Sequence, residues 1–203
     1  MKTLIISSYH ASWAPKIGPV AEMVGSFSEY EVVSDADLTP GHDLAGYGAL
    51  VLSGSPNLIS KEEYLPHYVE FLRRVELPVL GICYGHQLLA VAHGARVVNG
   101  PRFIEGYDTI RILEPEPLFH GLPEEIVVME SHREHVVQDD LVRSGFRLLA
   151  NSSTSDVEAM RHVKKPLFGL QFHLERSGEI GRQVMENFFK FVRGFRPRGG
   201  LSG

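Results

Sequence analysis

The segment Leu77-Pro-Val-Leu-Gly-Ile-Cys-Tyr-Gly-His-Gln-Leu-Leu-Ala90 constrains the fold more than any other part of the chain. Val79 to Ile82 is short and almost entirely apolar, as expected of a central parallel strand covered on both faces. Helix formers follow from Gly85 to His93, with Leu88, Leu89 and Ala92 available to pack that helix down. The backbone must therefore pass from buried strand to helix within a few residues, and Gly81 and Gly85 permit so tight a turn. Cys83, the only cysteine, stands at this turn. The local dipole beside the first free N–H groups of a helix favours negative charge, so the position suits a nucleophilic thiolate. A buried core cysteine is the other reading of the segment taken alone.

The flanking pattern is an alternating α/β chain. Strands are expected at Leu4 to Ile6, Glu31 to Val33 and Ala49 to Leu52, with helices at Val20 to Phe27 and Glu62 to Arg74. In the second helix Leu65, Val69 and Leu72 share a face. Short strands at Arg96 to Val98, Thr109 to Leu113, Ile126 to Glu130 and Phe146 to Ala150 are separated by Gly, Pro and charged turns, predicting a strand-rich extension of the sheet. Leu167 to Phe172 reads as the last strand, and Ile180, Val184, Phe188 and Phe191 or Val192 mark one face of a closing helix. The order predicts a three-layer α/β/α fold around a flavodoxin-like, mostly parallel sheet, with the active site at the carboxyl ends of its strands. Residues 1–194 are expected to form one domain, and 195–203, with no periodicity, a loose tail.

The composition narrows the function classes. With a formal charge of −5 and 22% charged residues, the chain has no broad basic field for nucleic acid. No apolar run approaches the length needed to span a bilayer, and a lone cysteine excludes an internal disulfide, so a cytoplasmic setting is expected. No Gly-x-Gly-x-x-Gly fingerprint or Walker pattern is present, so neither a dinucleotide site nor an ATP-cleaving site has support in the sequence.

A thiol attacking a carbonyl needs a proton acceptor, and His173 is the best placed. It follows the apolar run ending at Phe172, and Glu175 lies two residues on. If the strand persists, this spacing puts both side chains on one side, where the carboxylate orients the imidazole. An edge histidine beside a surface glutamate is the alternative. His132, His135 and His173 have no recognisable zinc-site spacing, so no metal is expected.

The set Gly81-x-Cys83-x-Gly85-x-Gln87, Leu52-Ser-Gly-Ser-Pro56, Glu130-Ser-His-Arg-Glu134, Val157-Glu-Ala-Met160 and Phe172-His-Leu-Glu175 resembles the class I glutamine amidotransferases, most nearly the branch in which the glutaminase of GMP synthetase is a separate small subunit. The resemblance implies Cys83, His173 and Glu175 as catalytic residues, an oxyanion hole from the backbone N–H groups of Gly54 and Tyr84, and substrate contacts from Gln87, Ser131 and His132. It implies L-glutamine as substrate, hydrolysed through a γ-glutamyl thioester, no cofactor, and an ATP-dependent synthetase subunit that aminates XMP with the ammonia. Ser55, Glu134 and Leu174 stand where the family commonly has Gly, Asp and Pro. Those departures raise a γ-glutamyl conjugate as an alternative substrate, and a noncatalytic protein that retains the fold is the third reading.

Overall fold

The computed structural model describes residues 1–115 and 117–196. In chain order the strands are β1 (Lys2–Ser7), β2 (Glu29–Ser34), β3 (Tyr47–Leu52), β4 (Val79–Ile82), β5 (Val97–Ile112), β6 (Glu125–Val136), β7 (Phe146–Asn151), β8 (Ala159–His162) and β9 (Leu167–Leu170). The helices are α1 (Gly18–Gly25), α2 (Pro66–Arg74), α3 (Tyr84–Ala92) and α4 (Gly178–Gly194). Part of the expected tail, residues 197–203, lies outside the described residues.

All nine strands join one sheet in the order β2-β1-β3-β4-β9-β8-β7-β5-β6. The pairings from β2 to β9 are parallel and those from β9 to β6 antiparallel. This corrects the expectation of a flavodoxin-like, mostly parallel sheet with an appended extension, because four of the eight pairings in the one sheet are antiparallel. Two local features hide the antiparallel half. The strands expected at Arg96 to Val98 and Thr109 to Leu113 belong largely to one 16-residue strand, β5, whose register against β6 slips between Asn99 and Ile104. β6 in turn continues through Ser131-His-Arg-Glu-His135, a run that reads as a polar loop, because backbone pairing to β5 supplies what side-chain propensity does not. β8 has no counterpart among the expected strands.

Apolar side chains from both sheet faces make two cores. Ile5, Val51, Leu80, Ile82 and Phe168 pack against Val20 and Val24 of α1 and Val184, Phe188 and Phe189 of α4. Leu4, Leu50, Leu52 and Val79 pack against Tyr68, Val69 and Leu72 of α2 and Leu88 and Leu89 of α3. Leu88 and Leu89 are wholly buried, and each such side chain contributes roughly 1.5–3 kcal/mol toward holding α3 on the sheet. Pro66 opens α2 where no N–H is needed. Arg73 and Arg74 close it where the dipole favours positive charge. Among the described residues, no helix is long and apolar enough to cross a membrane.

Candidate active site

The turn from β4 to α3 is as tight as the two glycines suggest. A Cβ on Gly81 would stand 2.6 Å from the backbone of Gly85, and one on Gly85 would stand 2.6 Å from Leu52 Cβ. Between them Cys83 occupies φ 49°, ψ −101°, a conformation that costs a non-glycine residue on the order of 1–3 kcal/mol. Strand pairing imposes it, since the Cys83 N–H donates to the Leu170 carbonyl at 2.7 Å and the next helical bond, Gln87 N–H to the Cys83 carbonyl, forms at once. Cys83 is thus presented from the end of a strand at the start of a helix, 5% exposed.

His173 comes just beyond β9, the last strand of the chain. The strand stops at Leu170, earlier than expected, and His173 precedes a single 3-10 turn, Leu174–Arg176. That turn, rather than a continued strand, brings the carboxylate to the imidazole: Nδ1 of His173 lies 2.7 Å from Oε1 of Glu175. The ring nitrogen left over is Nε2, and the imidazole also pairs with the Cys83 side chain. Burial by itself lowers the His173 pKa, yet negative charge at Cys83 and Glu175 outweighs it and raises the value well above that of a free imidazole.

The other predicted residues line or support the same cavity, which measures about 750 Å³ and falls within the range usual for small-ligand sites, about 300–1,000 Å³. Tyr84, Gln87, Ser131 and His132 are on its wall with Cys83, His173 and Glu175. Gly54 sits behind the wall, where a Cβ would stand 2.6 Å from the Tyr9 hydroxyl and 3.1 Å from the His173 ring. Tyr84 is the first residue of α3, whose N–H has no intrahelical acceptor. Gln87 is turned to structural work: its Nε2 donates to the Glu134 carbonyl at 3.0 Å and to Oε1 of Gln171 at 3.2 Å. The Ser131 carbonyl lies 3.8 Å from Cys83 Sγ. His132 is held inward, with Nδ1 3.0 Å from the Glu134 carbonyl and Nε2 3.4 Å from Glu130.

Glu134 has a task of its own. Its carboxylate accepts the N–H groups of Ile59 and Ser60 at 2.6 and 3.0 Å, tying the turn after the loop at residues 53–56 to β6. The longer side chain reaches across the cavity rim, so its hydrogen bonds go to that turn rather than around Ser131.

Residues 24–192 match the glutamine amidotransferase class-I family. The chain belongs to the class I glutamine amidotransferases. It is a cysteine-dependent enzyme of glutamine, releasing ammonia from the side-chain amide. Among curated relatives, the glutamine-hydrolyzing GMP synthase subunit of Archaeoglobus fulgidus is 36% identical, the match covering 76% of this chain and 81% of that one. The protein of the same name from Pyrococcus furiosus is 39% identical over 70% and 73%. Among solved structures, a Thermoplasma acidophilum protein described as a subunit of GMP synthase superposes with a TM-score of 0.82 at 27% identity, covering 96% of this chain and 95% of that one.

Three features around the amidotransferase cavity carry no motif in the sequence. Gln171, the one polar side chain in the run Leu167 to Phe172, donates its Nε2 to Cys83 Sγ at 3.6 Å. Its polarity inside a wholly buried strand end is the signal that marks it. Tyr9 follows β1, and its hydroxyl pKa is raised by burial first and then by negative charge at Glu175 and Cys83. Lys16 and Arg176 bring positive charge to the cavity, and nothing in their local sequence distinguishes them from solvated cations.

Proposed function

We propose that Cys83, His173 and Glu175 act together in hydrolysing L-glutamine, and that residues 1–194 form the single domain that does so. The observation that carries the assignment is the arrangement of Cys83, held at positive φ on the first turn of α3, with an imidazole whose far nitrogen is fixed by Glu175 at 2.7 Å. His173 takes the Cys83 proton, and Sγ forms a bond to the amide carbon while the carbonyl π pair moves to oxygen. The backbone N–H groups of Tyr84 and Gly54 receive that oxyanion. The imidazolium then gives its proton to the departing nitrogen, the C–N bond breaks, and ammonia leaves a γ-glutamyl thioester. His173 next deprotonates a water, which adds to the thioester carbonyl, and expulsion of Sγ yields glutamate. Lys16 and Arg176 suit the substrate's α-carboxylate by charge, and the wall at Ser131 and His132 suits its α-amino end.

The ammonia goes to an ATP-dependent synthetase subunit that aminates XMP. Support comes from the relatives named as glutamine-hydrolyzing subunits of a GMP synthase, and from exposed Trp13 and Phe103, 44% and 47% exposed, at the cavity's edge where a partner would cover them. The test follows glutamate formation from glutamine by the chain alone, and then with the XMP-aminating subunit, ATP, Mg²⁺ and XMP. Folded protein with reduced Cys83 that forms glutamate in neither condition rules this function out. Glutamate formation that no synthetase stimulates removes the partner and keeps the chemistry.

A further inference from the structure

Behind the cavity wall lies a second cluster of groups, of which His132 alone also borders the substrate cavity. Along β6, side chains of alternate residues enter the protein, and at Glu130 and His132 this inward row becomes polar. Glu158, just before β8, meets them there. Glu130 and Glu158 are 0% exposed and His132 is 5% exposed. One ligand-type atom from each of the three lies within 4.8 Å of the others. Both oxygens of Glu130, Oε2 of Glu158 and Nε2 of His132 meet no polar group but one another, the two carboxyls pairing directly, and no lysine or arginine pairs with either carboxyl among the described residues.

We propose that Glu130, His132 and Glu158 bind one divalent cation of the zinc class. Three features argue for a metal ion. The first is the state of the imidazole: Nδ1 lies 3.0 Å from the Glu134 carbonyl, an acceptor, so Nδ1 carries the hydrogen and Nε2 points its lone pair at the two carboxyls. Metal-ligating histidines are oriented in this way, with the other ring nitrogen donating to a carbonyl or carboxylate. The second is distance. His132 Nε2 and Glu130 Oε2 are 3.4 Å apart, longer than a charge-assisted hydrogen bond and equal to the edge of a tetrahedron with metal–ligand bonds of about 2.0–2.1 Å. The third is charge, since a divalent ion balances two buried carboxylates whereas a monovalent one leaves a net charge in the core.

The surroundings complete the site. Ser152 Oγ donates to Oε1 of Glu158 at 2.7 Å and accepts the Thr154 and Ser155 N–H groups at 3.0 Å, while Thr154 Oγ1 donates to Oδ2 of Asp108 at 2.7 Å. A smaller cavity of about 280 Å³ borders the cluster at His132, with Ser153 and Thr154 also on its wall. The imidazole selects a borderline ion such as Zn²⁺ over Mg²⁺ or Ca²⁺, which prefer oxygen alone. The ligands come from β6 and from the segment before β8, so the ion pins the strand that carries Ser131 to the middle of the sheet.

The test uses the full chain, freed of metal by chelator and titrated at pH 7.5 with Zn²⁺ against a chromophoric chelator, and with Co²⁺ by visible absorption. The expected result is one tight equivalent of Zn²⁺ and the intense d–d bands of low-coordinate Co²⁺. Glu130→Gln with Glu158→Gln keeps shape and should weaken that site by at least about 100-fold, beyond the 10–100-fold usual for losing an outer partner. Ser152→Ala, which leaves all three ligands in place, should fall within that 10–100-fold range. Circular dichroism of the metal-free variants separates lost binding from lost folding. A wild-type protein that takes no stoichiometric ion, with the carboxyls filled by protons instead, overturns the proposal. So does a tight site that survives in a folded double variant, which would place the ion among other histidines.

Discussion

The two halves of the sheet bury different chemistry. From β3 to β9 the parallel strands are covered on both faces by α1 and α4 on one side and α2 and α3 on the other, and β4 and β9 are wholly buried. In β6, at the far antiparallel edge, only alternate residues enter the core, and the inward row runs Ile126, Val128, Glu130, His132, Glu134, Val136. A strand sealed between helix layers has no water for a polar side chain, so its sequence is apolar throughout. A strand with one wet face can turn polar groups toward a cavity, and here His132 and Glu134 of the inward row do so. The parallel half thus fixes the position of Cys83, while the antiparallel half supplies much of the wall opposite.

The largest effects expected from breaking this division fall on the parallel half. Cys83→Ser should cut glutamate formation by about 10⁴-fold or more, since the hydroxyl lacks an accessible anionic form at this site. Rapid-quench detection of the γ-glutamyl enzyme decides it, and a variant that still acylates at an appreciable rate refutes the assigned nucleophile. His173→Ala should slow acylation by at least about 10²-fold while leaving the melting temperature near that of wild type. Glu175→Gln should do less damage, because an amide can still orient the imidazole without stabilising its charge. Equal losses in the two variants would mean that Glu175 acts as more than an orienting group.

Packing should show the same contrast on a smaller scale. Gly85→Ala places a methyl 2.6 Å from Leu52 Cβ in the sealed half and should cost about 1–3 kcal/mol in urea unfolding. Val127, 52% exposed on the outer face of β6, should tolerate Thr within about 0.5 kcal/mol. A costly Val127→Thr would show that this face is covered in solution.

The halves should also pull stability in opposite directions with pH. His86, wholly buried on α3 against Gly169, is held to about 3 by desolvation, first of all, and by neighbouring His132. Its folded pKa lies below the unfolded value of about 6.5, so the stability it contributes is present above that value and is lost as pH falls toward 3. Glu130 is the reverse: burial pushes it up to about 7, so its contribution is present below about 4.5 and is lost as pH rises through 7. Each slope is at most about 1.4 kcal/mol per pH unit. Urea midpoints of metal-free protein between pH 4.5 and 7 should therefore steepen toward acid in Glu130→Gln, because only Glu158, also raised by burial, is left to oppose the histidine slope. An unchanged profile in that variant would remove Glu130 from the balance.

How much of this is legible in the chain follows the same boundary. Short apolar runs with glycine at the turn announce β4, Cys83 and α3, because a strand shut between two helix layers leaves its sequence no other composition. The amphipathic spacing of Val184, Phe188 and Val192 likewise announces α4, whose buried face matches it. His173 and Glu175 stand out by their order after the last strand, although the 3-10 turn that joins them does not.

The sequence by itself determined the apolar strands of the parallel half and the order of the motif residues along the chain, since burial on both faces and tight turns act through nearby residues. Only the tertiary structure decided the mixed sheet, the passage of β6 through residues 131–135, the reach of Glu134 to Ile59 and the meeting of Glu130, His132 and Glu158. Those depend on pairing between strands far apart in the chain, and a polar residue carries no local mark of which distant strand will bury it.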